Sequence, residues 1–401
     1  LTEATARRQD LLVVGAGIVG LASAREYLER HPGHKVTVVE KEAEVGRHQS
    51  SHNSGVVHAG IYYTPGSLKA RLCRRGVALI EEFAREHGIP LDKCGKLVVA
   101  TREADLPRLR DIEERSRANG VPVEMLDPRQ MMEIEPHVKG LAALHSPTSA
   151  IIDYAEVCRS LVAEIRDRGG TIMTSTPIRS VEAGDTDGVV VAGSGRRLSG
   201  TRILVCAGLM ADRLARDSAR PAAPRIVPFR GEYWKLRPEK RHLVRGLIYP
   251  VPDPSLPFLG IHLTKHVDGE ILIGPNAVPA LAREGYGWGD VNLRQLGEML
   301  GWGGSWKLFR RHWKTGVEEI ARSFSKRMYV HAARAYVPEL LPRDVVKAMA
   351  GVRAQAVDPD GSLVDDFRIE AGPVATFVRN APSPAATSSL AIAEELVDGL
   401  A

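Results

Sequence analysis

The sequence predicts an α/β fold, α+β taken whole, with a Rossmann-like nucleotide-binding domain and a second domain built on an antiparallel sheet. A strand–turn–helix–strand unit fills Asp10 to Glu40, later strand segments return toward it, and a β-rich, proline-rich stretch runs from about Arg225 to Ile273. In the first unit, Asp10-Leu-Leu-Val-Val14 is a buried-strand pattern running straight into Gly15-Ala-Gly-Ile-Val-Gly20. A helical segment, Leu21 to Arg30, follows, and the strand Lys35-Val-Thr-Val-Val39 ends on Glu40, twenty residues past Gly20. Gly15 permits the tight turn, Gly17 lets backbone N–H groups approach a pyrophosphate, and Gly20 lets helix and strand pack closely. The turn residues Ile18 and Val19 lead into a helix N-terminus, which offers unpaired donors and partial positive charge to phosphates. The Glu40 carboxylate can accept from ribose hydroxyls. Glycines that merely closed a tight turn in another α/β protein would leave that acid and its spacing unexplained.

Beyond this unit, Arg47 to Gly60 is a polar, glycine-punctuated loop, and an amphipathic helix runs from roughly Ser67 to His87. Lys96 to Ala100 reads as a strand, Glu103 to Asn119 as a helix, and Met125-Leu-Asp-Pro128 starts a short capped helix through about Glu135. Tyr154 to Gly169 is helical, and strands at Thr171–Met173, Val189–Val191 and Arg202–Cys206 would rejoin the nucleotide-binding sheet. Strands at 231–236, 247–249, 258–263 and 270–273 suggest an antiparallel sheet outside it. A strand at Val374–Val378, a Pro-rich turn and a helix from about Ala385 to Leu400 close the chain.

The length of 401 residues suits two domains, or one nucleotide domain with a large insertion, and 44% apolar with 26% charged residues is ordinary for a soluble protein. No run approaches the roughly 18 apolar residues of a membrane span. The polar start, Leu1 to Asp10, lacks the apolar core of a signal peptide, so a cytoplasmic location is expected; the missing Met places the natural start elsewhere. Cys73, Cys94, Cys158 and Cys206 are scattered and read as reduced thiols. His48 and His52, like His262 and His266, stand four apart but in loop or strand sequence, so no metal site is expected. Residues 301–330 hold seven Lys/Arg and two Glu, a net +5 that equals the whole chain's. Trp288, Trp302, Trp306 and Trp313 fall in or beside that stretch, a composition suited to an anionic membrane interface. It suits somewhat better a helical subdomain with its aromatics packed inward and its charges facing water.

Longer motifs carry a resemblance. His52-Asn-Ser-Gly-Val-Val-His-Ala-Gly-Ile-Tyr-Tyr-Thr-Pro-Gly-Ser-Leu-Lys-Ala70 resembles the signature loop of the L-2-hydroxyglutarate dehydrogenases and oxidases, FAD enzymes of the D-amino-acid-oxidase-like superfamily. The likeness continues through Pro228-Phe-Arg-Gly-Glu-Tyr233, Pro257-Phe-Leu-Gly-Ile-His-Leu-Thr264, Gly274-Pro-Asn-Ala277, Gly351-Val-Arg-Ala-Gln355, Asp358-Pro-Asp-Gly361 and Asn380-Ala-Pro-Ser-Pro-Ala-Ala-Thr387. It implies an FAD domain from residues 1–90, 150–225 and 335–401, and a substrate domain from 91–149 and 226–334, with the basic segment near 286–330. It also implies oxidation of L-2-hydroxyglutarate to 2-oxoglutarate by hydride transfer to flavin N5. Electrons would pass to a quinone or oxygen. Peripheral contact with the inner face of the cell membrane is an expectation from the basic Trp-rich composition and not from the resemblance. With a net charge of only +5 and no RNA-binding module, no nucleic-acid partner is expected.

That chemistry needs a base for the hydroxyl proton and cations for two carboxylates. Arg353 is the first candidate cation and Arg230 the second, against the ordinary reading of a surface arginine at a strand end. His58 or His262 is the candidate base, with Thr264 on the same strand face as His262 and Tyr233 as a hydrogen-bond donor. For FAD, Gly15, Gly17 and Gly20 would take the pyrophosphate, Glu40 the ribose, and Lys41 would flank the adenine side. Ser51, His52, Asn53, Ser54 and Gly55 would surround the ring and ribityl chain, with Ile178 at the adenine, Ala207-Gly208 below and Gly351 beside Arg353. Pro382, Ser383, Pro384, Ala385, Ala386 and Thr387 would open a helix whose N-terminal dipole faces the pyrimidine edge. Two rivals share the fold, an amine or amino-acid oxidase and a glycerol 3-phosphate dehydrogenase. A flavin-dependent RNA-modifying or RNA-binding protein is a rival of another class, which would use the basic Trp-rich stretch.

Overall fold

The structure, a computed structural model, describes residues 8–254 and 258–400; the polar start before Arg8 and Pro257 of the Pro-Phe-Leu-Gly motif lie outside them. Strand Gln9–Val14 sits at the centre of an eight-stranded sheet, parallel to Val36–Val39 on one side and Arg197–Val205 on the other. Leu11, Leu12 and Val13 are fully buried, the apolar run that a parallel strand covered on both faces requires. The sheet continues through Thr171–Met173 on one flank and takes in Ala375–Asn380, parallel to the end of Arg197–Val205, on the other. One face carries helices Ile18–Arg30, Leu68–Glu86, Tyr154–Asp167 and Ser389–Asp398 in a single apolar cluster. Each fully buried Leu, Val or Phe there contributes about 1.5–3 kcal/mol over its exposed state.

A nine-stranded sheet forms the second layer. Its backbone is the long antiparallel pair Arg225–Leu236 and Val345–Val357, in register with Phe229 opposite Arg353 and Gly231 opposite Gly351. Ile271–Gly274, His262–Lys265 and Leu247–Pro250 follow in order. Lys96–Ala100 then joins Leu247–Pro250 in parallel, the one parallel pairing described in an otherwise antiparallel sheet. A three-stranded sheet of Val56–Val57, Leu91–Asp92 and Ala150–Ile152 links the layers.

Several boundaries differ from expectation: the first helix already starts at Ile18, and the strands expected at 231–236 and Arg202–Cys206 run Arg225–Leu236 and Arg197–Val205. The strand expected over 258–263 begins only at His262. Glu103 to Asn119 splits into a short tight turn, Glu103–Asp105, and a helix, Leu106–Ala118, with Pro107 in its first turn. The last helix starts at Ser389, because Thr387 is held back: its hydroxyl meets Tyr154 Oη at 3.0 Å and accepts from the His58 N–H at 3.1 Å. The basic segment forms helices Leu293–Leu300, Gly303–Arg311, Trp313–Phe324 and Lys326–Ala333.

Candidate active site

A cavity of about 1050 Å³ lies between the two large sheets and reaches from the glycine turn to the second sheet. It exceeds the roughly 300–1,000 Å³ usual for one small molecule, so it accommodates a dinucleotide with a small substrate beside it. At its first end the glycines are geometrically required. Gly15 has φ +105°, and a Cβ there would stand 2.4 Å from the Cys206 carbonyl oxygen; at Gly20 a Cβ would stand 2.0 Å from the Gly15 oxygen. Gly17 caps the helix Ile18–Arg30 without a side-chain bond. The Ile18 N–H is taken by Ser50 Oγ at 3.0 Å, while helix geometry leaves the Val19 and Gly20 N–H groups without intrahelical partners at the cavity wall. Glu40 is buried and lines the same end. Its carboxylate accepts from the Ala16 N–H at 2.8 Å and the Glu42 N–H at 3.0 Å, which fixes its orientation. Lys41, Ile178, Ala207 and Gly208 complete that end, and Gly351 passes so close to His52 that a Cβ would stand 2.4 Å from its carbonyl oxygen.

At the other end His58, Tyr233, Tyr249, Phe258, His262 and Arg353 face one another. The Arg353 guanidinium lies 5.0 Å from the Phe258 ring centroid and makes no ion pair among the described residues. Burial lowers its pKa, though it remains the cation of the wall. His262 stacks on Tyr249 with centroids 4.0 Å apart, and its Nδ1 lies 2.9 Å from the Gly260 carbonyl oxygen. Burial first, then the Arg353 and Lys96 charges, push the His262 imidazole down to about 3, so it is neutral. His58 is likewise held well below its ordinary value, chiefly by burial and then by Lys96. Burial raises the Tyr233 hydroxyl, which stays protonated within hydrogen-bonding reach of Ser54.

The match to the FAD dependent oxidoreductase family model covers residues 10–399, nearly the whole chain. The chain belongs to this family. It is 46% identical to the mitochondrial L-2-hydroxyglutarate dehydrogenase of Nematostella vectensis, over 99% of this chain and 91% of that protein. The human mitochondrial protein of that name is 41% identical over 97% of this chain and 88% of its own. The L-2-hydroxyglutarate dehydrogenase of Escherichia coli K12 is 39% identical over 97% and 92%. Among solved structures, L-alpha-glycerophosphate oxidase from Mycoplasma pneumoniae with FAD bound superposes with a TM-score of 0.80 at 23% identity, covering 98% of this chain and 95% of that one. That likeness carries the fold of an FAD-dependent oxidoreductase, and FAD is the cofactor.

Four candidates sit elsewhere than the sequence placed them. Arg230 does not reach the cavity wall: it is fully buried, donates to the Gly287 carbonyl at 2.8 Å, pairs with Glu232 at 3.2 Å and stacks over Trp288. Thr264 shares a strand face with His262 but is sealed beneath it and does not line the cavity. Ser51 points outward, its hydroxyl near the His48 carbonyl, and it is the neighbouring Ser50 that serves the glycine turn. Gly55, at φ +69°, turns the loop, its carbonyl accepting from the Ile152 N–H at 2.8 Å, instead of lining the cavity. Asn53 and Ser54 do line it, as do Pro382, Ser383, Pro384, Ala385, Ala386 and Thr387. The dipole expected near Pro384 arises instead from the helix beginning at Ser389, one turn farther back.

His48, His52, His262 and His266 all take protein partners, His52 Nδ1 lying 3.2 Å from the His48 carbonyl oxygen. His48 meets Tyr286 Oη at 2.9 Å, His52 lies against the same ring, and His266 pairs with Asp268. Glu42, His48 and Glu284 do converge, but the Lys41 ammonium sits among them, 2.7 Å from Glu284 and 2.9 Å from His48, and supplies the positive charge there. Sequence reasoning missed Ser50, Tyr249 and Phe258, and above all Lys96, which lies fully buried behind His58. The signal for Lys96 was available: a lysine opening the otherwise apolar strand Lys96-Leu-Val-Val-Ala100.

Proposed function

We propose that the protein oxidises L-2-hydroxyglutarate to 2-oxoglutarate, Arg353 holding a substrate carboxylate and His262 taking the hydroxyl proton. Arg353 carries the reading from the geometry, a cavity-lining guanidinium that makes no ion pair among the described residues and feels Glu319 only at longer range, in a chain alike from end to end to enzymes named for that substrate. A bidentate carboxylate fits such a fork. FAD, when bound, accepts the hydrogen leaving C2 together with its electron pair.

Ring tautomers separate the two histidines. The His262 Nδ1 can only donate to the Gly260 carbonyl, so in the neutral ring Nε2 is left as the free acceptor. That is the arrangement of a base. A dianionic substrate between His262 and Arg353 offsets the cationic field that depresses this imidazole and raises its basicity as the substrate binds. Tyr233 Oη is placed to donate to the substrate's oxygens. The cofactor's pyrophosphate is assigned to the Val19 and Gly20 N–H groups, its ribose to Glu40, and its ring end to His52, Asn53, Ser54, Gly351 and the 382–387 turn.

The basic helices are assigned to anionic lipid. Trp302 and Trp288 pack inward, against Arg225 and the buried Arg230, whereas Trp306, Trp313 and Phe324 are 58%, 60% and 70% exposed among lysines and arginines, Phe324 stacking on the outer side of Trp288. Helix Trp313–Phe324 buries no residue, and no helix among the described residues is long and apolar enough to cross a membrane. Quinone or oxygen receives the electrons; a lipid-facing surface favours quinone.

Anaerobic mixing of the yellow holoenzyme with each enantiomer tests the substrate. The L form is expected to bleach the flavin within the mixing experiment and yield 2-oxoglutarate. Bleaching by the D form alone, or by neither, overturns the assignment.

A further inference from the structure

Lys96 is 1% exposed, yet no carboxylate pairs with it among the described residues. Its Nζ lies 3.5 Å from His58 Nδ1, 4.4 Å from the Tyr249 ring centroid and 5.7 Å from that of Tyr62. A buried charge without a counter-ion is costly, and among the described residues cation–π contacts and one imidazole nitrogen offset it. Neighbouring strands do not explain it, since opposite Lys96 stand Ser146 and Leu247, neither acidic. It does not line the cavity, whereas His58, Tyr62 and Tyr249 do.

We propose that Lys96 is a positioning residue that acts through His58: its ammonium fixes the imidazole with the proton on Nε2, so that His58 serves the cavity as a donor. The inference rests on the 2-hydroxy-acid oxidation proposed above. An ammonium has three donors and no acceptor, so a nitrogen that bonds to it must be the unprotonated one. Nδ1 therefore accepts, and Nε2 keeps the hydrogen of the neutral ring. The two histidines then hold opposite tautomers, His262 with Nε2 open to receive a proton and His58 with Nε2–H to give a hydrogen bond to a substrate oxygen.

The device has a built-in pH limit. Burial pulls Lys96 down to about 8, while the Cys73 and Cys94 thiols around it are pushed up to about 12 and about 11. Tyr62 and Tyr249 are raised as well, and His58 and His262 are lowered, so those six neighbours stay uncharged while Lys96 titrates. Below about 8 the ammonium enforces one tautomer; above it the neutral amine can both accept and donate, and the constraint lapses.

Histidine-¹⁵N-labelled holoenzyme tests this, the His58 signals being assigned by their loss in His58→Gln. From about pH 6 to about pH 10 the spectrum should begin with an Nε2–H tautomer at His58 and become mixed as Lys96 deprotonates. In Lys96→Met the transition should disappear. Flavin reduction by substrate should slow about tenfold or more, with wild-type FAD content retained, and lose its alkaline limb. A His58 proton on Nδ1 at the acid end, or an unvarying tautomer across the range in the wild type, overturns the proposal whether or not Lys96→Met folds. Wild-type bleaching by L-2-hydroxyglutarate alongside such a result would leave the substrate reading intact and remove only Lys96.

Discussion

At the scale of single residues, the two candidate arginines have diverged in environment. Arg230 is consumed by Glu232, the Gly287 carbonyl and the Trp288 ring, whereas Arg353 faces the cavity over the Phe258 ring with no ion pair among the described residues. Composition alone does not distinguish them, because a partner 57 residues away along the chain, as Gly287 is from Arg230, leaves no local trace. Arg353→Met is expected to raise KM for L-2-hydroxyglutarate about 10- to 100-fold, the worth of roughly 1.5–3 kcal/mol for a charged hydrogen-bonded contact. FAD content should not change. Steady-state kinetics checks this, and an unaltered KM would place the substrate carboxylates elsewhere. The histidines teach the same lesson. Both could be named from motifs, but separating a candidate acceptor from a candidate donor needed the local turn that sets the Gly260 carbonyl against His262 and the Lys96 ammonium that the fold brings to His58.

At the scale of elements, what was legible followed from local geometry. The glycine turn could be read because Gly15 and Gly20 each face backbone too close for any Cβ, and Glu40 because its strand ends beside Gly15 and Ala16. The helix Leu68–Glu86, capped by the Ser67 hydroxyl, and Pro128–Ile134, capped by Asp127, were legible for the same reason, since a cap is a contact between near neighbours. The long strand Val345–Val357 was not delimited, because its partner Arg225–Leu236 lies more than a hundred residues earlier and its own side chains mix polar and apolar. The basic helices were half legible. Their composition was plain, but which tryptophans turn inward depended on Arg225 and Arg230. Replacing Trp306, Trp313 and Phe324 together with Ser should abolish co-sedimentation with anionic liposomes while leaving flavin reduction by substrate unchanged. Retained sedimentation, or no sedimentation of the wild type, would return this surface to the role of an ordinary solvated face.

At the scale of the whole molecule, function arises where two sheets of different construction meet. The first sheet supplies helix N-terminal donors and Glu40; the second supplies Arg353 and Tyr233 on paired strands, and His262 on a strand separated from that of Tyr233 by Ile271–Gly274. Neither sheet alone holds both a dinucleotide and an acid. The account therefore turns on His262 being the proton acceptor at that meeting point. The most direct measurement is the anaerobic rate of flavin reduction by L-2-hydroxyglutarate in His262→Asn holoenzyme. The account predicts a fall of about 10²–10⁴ from wild type, with FAD content and substrate affinity retained. A rate close to that of the wild type would contradict it.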